Sequence, residues 1–269
     1  MKNQSLNISE LVSIVRNVAI EELLPRFAKV KQNKKCDGSI LTEADLAVQT
    51  KIEKKLKQLD SSILFLAEEM TEQEQETILQ QSGRPVWVLD PLDGTTNFAA
   101  GIPYYAVSLA LIEKGQPVLA IVYDPERDEC FIAEKGSGAK LNQSNIEKGH
   151  SKIKLSNAVA CIDLKRLPEK LAIKIVSQHP FRSQRSFGGV ALDWCWLAAG
   201  RFDVYLHGKQ NIWDYAAGYL IYSEAGGIST TLSGEPIFVQ SLQPRSGVAA
   251  LDKDLFIEWT DWLEINIAH

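Results

Sequence analysis

Asp90 and Asp93 close an apolar run, Trp87-Val88-Leu89, and are followed at once by Gly94-Thr95-Thr96-Asn97-Phe98. Two carboxylates three positions apart at the end of a strand form a hard-oxygen donor set. With the Leu92 carbonyl between them they can serve two neighbouring magnesium ions, which prefer near-octahedral oxygen ligands. Taken alone, a solvated Asp-Gly turn explains the same dipeptide. Thr95 and Thr96 start a short helix, whose first backbone N–H groups can hold phosphate oxygens; Thr is also an ordinary helix N-cap. A second acidic pair, Glu68-Glu69, ends the run Ile63 to Ala67. Thr42-Glu43-Ala44-Asp45 fits a capping box, and Asp214 stands at another helix start, where a capping role accounts for it equally well. Each feature has a structural explanation of its own, and their combination is what suggests chemistry.

The elements that position these residues follow from periodicity. Leu11, Ile14, Val15 and Val18 mark an opening amphipathic helix with Ser9 as its N-cap, and Pro25 bends or ends it. A second helix begins near Thr42, with Val48, Ile52, Leu56 and Leu59 as its apolar stripe. Val86 to Leu89, Ala106 to Ile112, Val118 to Tyr123 and Cys130 to Ala133 read as strands, the later ones as an antiparallel meander with turns at Lys114-Gly115 and Pro125 to Asp128. The polar stretch Gln143 to Lys154 divides the chain into a first lobe, residues 1–145, carrying most metal ligands, and a second α/β lobe, residues 146–269. In the second lobe helices are predicted over Val190 to Ala199, Asp214 to Glu224 and from about Lys253, with strands over Phe202 to Leu206 and Ile228 to Thr231. Ala216, Ala217 and Gly218 let the second of these helices pack closely against a neighbour.

Composition narrows the class. The chain has 269 residues, 45% hydrophobic and 23% charged, as ordinary globular proteins do. Its formal net charge of -5 argues against direct nucleic-acid binding, and no apolar run reaches the roughly 20 residues that span a bilayer. Met1 to Ser9 lacks the pattern of a secretion signal, so a cytoplasmic location is expected. Cys36, Cys130, Cys161 and Cys195 are widely spaced and read as reduced, structural thiols.

In their order along the chain, Thr42 to Asp45, Glu68-Glu69, Asp90 to Phe98, and Trp213-Asp214 with Ala217-Gly218 resemble the signature of the inositol monophosphatase family. The likeness extends to Gly136, Gly138, Ala199-Gly200-Arg201 and Glu224-Ala225-Gly226-Gly227. This resemblance implies an α/β fold layered as an αβαβα sandwich, commonly a homodimer, and lithium-sensitive, Mg2+-dependent hydrolysis of a small phosphate monoester with two or three ions. It further implies that Glu68, Asp90, the Leu92 carbonyl, Asp93 and Asp214 hold magnesium. Glu68 and Thr95 would position the attacking water, Asp45 would polarise Thr95, and the amides of Gly94 and Thr95 would hold phosphate oxygens.

The sequence also departs from that pattern. Seven residues before Asp214, where members acting on inositol phosphate carry a Glu, stands His207, a substrate-binding candidate expected at the pocket rim. Imidazole accepts at most one hydrogen bond, so His207→Glu would favour an inositol ester if the residue touches substrate. Lys35 to Ser39 and Asn211 to Asp214 resemble relatives acting on 3'(2'),5'-bisphosphate nucleotides, and a sugar phosphate or a fructose-1,6-bisphosphatase-type activity is a further alternative. A role as protein partner of RNA or transcription machinery is the reading from another class.

Overall fold

The computed structural model describes residues 6–29, 33–34, 40–81, 83–147 and 152–266. Helix α1 (Ile8–Glu22) starts earlier than Ser9 suggests, because the Asn7 side chain accepts from Ser9 N–H and takes the N-cap role itself. Pro25 lies in the single 3-10 turn Leu24–Arg26 that follows, as a ring lacking N–H dictates. After the small ribbon β1 (Asn33–Lys34) and β2 (Ile40–Leu41), helix α2 (Glu43–Leu59) begins at Thr42 with the expected capping box. Its stripe Val48, Ile52 and Leu56 is buried with Leu11, Val15 and Val18 of α1.

These helices cover one face of a seven-stranded sheet, β3 (Leu64–Ala67) to β9. Between β3 and β4 (Val86–Asp93) the chain makes a parallel crossover through α3 (Glu72–Leu79). Past the short α4 (Thr95–Ala100) the sheet continues as the predicted antiparallel meander: β5 (Ala106–Glu113), β6 (Gln116–Asp124), β7 (Glu129–Glu134), β8 (Ala139–Leu141) and β9 (Ser144–Asn145). Strand alternation assigns Trp87 and Leu89 to the α1/α2 side, and Val86 and Val88 to the opposite side.

The remaining chain builds a five-stranded sheet. It contains β10 (Val159–Asp163), α5 (Glu169–Gln178), β11 (Ser183–Arg185), α6 (Val190–Ala198), β12 (Val204–Gln210), α7 (Ile212–Glu224), β13 (Ile228–Thr230), β14 (Arg245–Ala250) and α8 (Lys253–Trp262). Its strand order is β11-β10-β12-β14-β13, with β10 parallel to both neighbours. Helices α6 and α7 lie between the two sheets and share one core with Val88, Ala120 and Phe131 on one side and Cys161, Tyr205 and Ala249 on the other. Ile175 of α5 and Leu255, Phe256 and Trp259 of α8 cover the outer face of the second sheet. The layers therefore run αβαβα, as the resemblance implies. Cys130, Cys161 and Cys195 are free and buried, whereas Cys36 lies outside the described residues.

Candidate active site

The two acids of the Asp90–Asp93 segment owe their placement to an irregularity in β4. Asp90 pairs with Ser108 and Asp93 with Ala106, so β4 uses one more residue than β5 over that span. A bulge of this kind re-aims side chains, and Pro91, which has no N–H to leave unpaired, is suited to it. Asp90 Oδ1 accepts the Leu92 N–H at 2.9 Å, and the Leu92 side chain is anchored in the core. The chain then turns through Gly94 at φ 90°, where an added Cβ would stand 2.8 Å from the Tyr104 carbonyl oxygen. Only glycine makes this turn without strain.

Thr95 follows as the first residue of α4, so its amide is among those without an intrahelical acceptor. Its Oγ1 lies 2.9 Å from the Leu92 carbonyl oxygen and 3.3 Å from Asp45 Oδ1. Asp45 is itself fully buried, its Oδ2 accepting from Thr42 N at 2.8 Å and Thr42 Oγ1 at 2.6 Å. The capping box and the predicted partner of Thr95 are thus one residue using its two oxygens separately.

Glu68 follows β3 directly; its N–H bonds the Leu89 carbonyl at 3.2 Å, and the buried Gln75 of α3 donates to the carbonyls of Ala67 and Glu68. Asp214 sits in the first turn of α7 and accepts Asn211 N–H at 2.8 Å. Asp93 reaches across to the start of α6, accepting from Val190 N at 3.2 Å and Ala191 N at 2.8 Å. Side-chain type gives no warning of these two amides, nor of Gln75, and sequence reasoning did not find them.

Burial pushes Asp90 well above the ordinary carboxylate range, and the charges of Glu68, Asp93 and Asp214 push it further. Asp214 is driven the same way by burial, Glu68 and Asp93. Asp93 rises to about 7, chiefly through burial and against the pull of the α6 amides, while burial raises Asp45 to about 6. Glu68, Asp90, Asp93 and Asp214, drawn from β3, β4 and α7, are therefore within electrostatic reach of one another. Among the described residues no three His, Cys, Asp or Glu side chains are arranged to hold a metal ion as they stand, each Asp of the set being turned to backbone amides. Four mutually repelling acids with a carbonyl between two of them nevertheless fit hard divalent cations in donor type and in charge.

His207 lies elsewhere than at an open rim. It is a buried residue of β12, in register with Asp163 of β10, and its Nε2 is 3.3 Å from Asp163 Oδ2. Strand β12 runs on to Gln210 instead of ending at Leu206, which carries the imidazole into the sheet. Lys35 to Ser39 lie outside the described residues.

Comparison with known proteins gives the geometry a setting. The profile of the inositol monophosphatase family matches residues 5–258. The chain is 40% identical over 159 residues to the putative Nus factor SuhB of Neisseria meningitidis, covering 58% of this chain and 61% of that protein. It is 37% identical over 201 residues to an inositol-1-monophosphatase of Rhizobium meliloti, covering 72% and 73% of the two chains. The crystal structure of the extragenic suppressor protein suhB from Bartonella henselae superposes with a TM-score of 0.83 at 29% identity, over 97% of this chain and 99% of that one.

Proposed function

The chain belongs to the inositol monophosphatase family, and we propose that it hydrolyses a small, soluble phosphate monoester with magnesium. The observation that carries this reading is the convergence of Glu68, Asp90, Asp93 and Asp214 beside the Asp45–Thr95 pair. Glu68, Asp90, the Leu92 carbonyl, Asp93 and Asp214 would hold two or three magnesium ions. Magnesium bound there supplies Lewis acidity, neutralising phosphate charge and making water a better nucleophile.

The chain's own groups do the rest. The Thr95 hydroxyl lies 2.9 Å from the Leu92 carbonyl and 3.3 Å from Asp45; with that carbonyl committed to magnesium the hydroxyl would donate to Asp45, leaving its lone pairs to accept from a water and orient it, with Glu68 as the second positioning group. The amides at Gly94 and Thr95, held by the left-handed glycine, are suited to phosphate oxygens. The amides of Val190 and Ala191 fix Asp93, one on each carboxylate oxygen. A contact of His207 with substrate belongs to the proposal too; its Nε2 faces Asp163 and its Nδ1 accepts the Lys209 N–H, so such a contact requires one of these to open.

Inositol and sugar phosphates are the favoured esters; a 3'(2'),5'-bisphosphate nucleotide and fructose 1,6-bisphosphate are the alternatives. Lithium sensitivity and a homodimer are read from the family in the same way, and a cytoplasmic location is proposed with them. Among the described residues no helix is long and apolar enough to cross a membrane. A second reading, a role beside transcription machinery, draws on the name of the Neisseria relative, of whose length this chain covers 61%.

The test is phosphate release from this panel by wild type and Asp93→Asn. Asparagine keeps an acceptor for the Ala191 amide while removing ligand charge, so the variant should fold and lose activity by about 100-fold or more. Turnover near wild type in the folded variant, or full activity after thorough chelation, sinks the metal-dependent reading.

A further inference from the structure

The one residue of α3 that is buried is polar, Gln75. A buried amide needs partners for its hydrogens. Gln75 Nε2 donates to the Ala67 carbonyl at 2.9 Å and to the Glu68 carbonyl at 3.3 Å. Two facing carbonyls fix which way the amide lies, since only its NH2 group can donate to them. The start of the helix is tied to the same place. Thr71 and Glu74 form a capping box, Gln75 N–H bonds the Thr71 carbonyl at 3.0 Å, and Met70 N–H returns to the Ala67 carbonyl at 3.3 Å. The chain from Ala67 to Gln75 is therefore a closed loop with Glu68 near its start.

Glu68 needs an outside donor because of the residue opposite it. Main-chain bonds join Leu64 N–H to the Pro85 carbonyl at 3.0 Å and Glu68 N–H to the Leu89 carbonyl at 3.2 Å, in step with the parallel register of β3 and β4. In a regular parallel pair, a residue that donates to one neighbour accepts from the neighbour two positions further on. The Glu68 carbonyl would thus take the N–H of residue 91, and residue 91 is proline, which has none. Pro91 belongs to the bulge that aims Asp90 and Asp93. The bulge therefore removes the bond that would steer the chain at Glu68, and Gln75 supplies a replacement from α3. Glu68 is held at its N–H by the residue before Asp90 and at its carbonyl by Gln75.

We infer that Gln75 is a positioning residue for Glu68: it takes over the ladder bond that Pro91 cannot make, and so sets where the Glu68 carboxylate stands relative to Asp90. The effect on catalysis rests on the phosphatase reading; the effect on the main chain does not. Without the Gln75 donor, Glu68 keeps its bond to Leu89 but can swing about it, and a shift of about 1 Å in a reacting group is enough to cost a large factor in rate.

The experiment is a double-mutant cycle on wild type, Gln75→Met, Pro91→Ala and the combined variant; methionine keeps the side-chain length without its donor, and alanine returns an N–H to β4. Amide hydrogen exchange is followed in chelator, so that neither magnesium nor turnover enters. Residues 67–71 should exchange about tenfold faster in Gln75→Met, while α2 and β6 keep their wild-type rates. In the Pro91→Ala background the same substitution should change that rate by less than about threefold. With magnesium, Gln75→Met should lower kcat for the ester wild type prefers by about tenfold and raise the magnesium needed for half-maximal rate. KM should hardly move, because the Gly94–Thr95 amides are untouched. Unchanged exchange at residues 67–71, acceleration across the whole sheet, or equal acceleration in the two backgrounds overturns the role. So does a local acceleration that leaves kcat and the magnesium requirement at wild-type values. If Pro91→Ala fails to fold, Gln75→Met decides alone, by whether its acceleration is local and its kcat falls. Should wild type hydrolyse none of the esters, the phosphatase reading fails separately, and exchange in chelator decides whether Gln75 holds Glu68.

Discussion

At the scale of single residues, the pair Asp163–His207 decides what position 207 tolerates. Read as a rim residue, His207 invites replacement by Glu to grip a polyol. Its place in β12, buried and 3.3 Å from Asp163, makes that change a stability problem first, since it sets two carboxylates against each other with little water to screen them. His207→Glu should cost roughly 1–3 kcal/mol in folding free energy, and more at pH 8 than at pH 5, because at the lower pH one acid of the new pair can stay protonated. Urea denaturation at the two pH values measures this. A variant as stable as wild type at both would show that residue 207 turns out of the sheet, which would restore the rim position. Elsewhere single residues divide their labour by atom, as Asp45 does with one oxygen for Thr42 and one for Thr95.

At the scale of elements, the close approach of α6 and α7 carries the centre of the molecule. An added Cβ on Gly218 would lie 2.6 Å from the Trp194 Cβ and 3.2 Å from the Ala191 carbonyl oxygen, so the small residues Ala216 to Gly218 set the distance between the helices. Gly218→Val should destabilise by about 1–3 kcal/mol through overpacking. It should also lower activity beyond the unfolded fraction, because α6 supplies the amides that hold Asp93 and α7 carries Asp214. Thermal denaturation alongside steady-state kinetics tests both parts, and wild-type stability in the variant would mean the helices separate freely. Helices α1 and α2 were legible because periodic apolar residues mark them, and α6 and α7 because they are apolar on nearly every side. Among the elements that were missed, β10 is a short apolar run, Val159 to Ile162, that was passed over, while others carry weak patterns: β11 is Ser183-Gln184-Arg185, α3 is Glu- and Gln-rich, α5 leaves Ile173 and Val176 exposed, and β14 opens on Arg245-Ser246-Gly247. Of the acids of the candidate site, Glu68, Asp90 and Asp93 stand out as carboxylates at the ends of apolar runs, whereas Asp45 and Asp214 read as helix caps until the family resemblance joins them to the set. Their supports, the amides of Val190 and Ala191 and the acid Asp163, were not, because a backbone N–H looks the same at every position and Asp163 joins His207 only through strand pairing.

At the scale of the whole molecule, the five layers bury more acid than they neutralise, and this sets how stability responds to pH. Burial raises Asp93 and Asp193 to about 7 and Asp45 to about 6, from an ordinary 3.8. A carboxyl raised on folding binds its proton more tightly in the folded chain than in the unfolded one. Its favourable contribution is complete below pH ~4, is lost as pH rises through the folded value, and is gone above pH ~7. A tenfold gain in proton affinity on folding is worth about 1.4 kcal/mol, so the folded protein in chelator should lose stability between pH 5 and pH 8. Glu22, held low by Lys51, works in the opposite sense, but only below its ordinary value of 4.5 and so outside this range. Magnesium should offset the loss most at pH 8, because it binds the folded state and competes with protons for the same carboxylates. Asp193 separates the two effects. It bonds the Tyr104 hydroxyl at 2.8 Å and stands outside the proposed ligand set, so Asp193→Asn should flatten the pH dependence in chelator while leaving the magnesium increment in place. The measurement is the urea midpoint at pH 5, 6, 7 and 8, with chelator or magnesium, for wild type and Asp193→Asn. A chelated wild-type midpoint that is level or rises with pH would show that these acids are solvated, and an Asp193→Asn protein with the full wild-type slope would place the titration elsewhere.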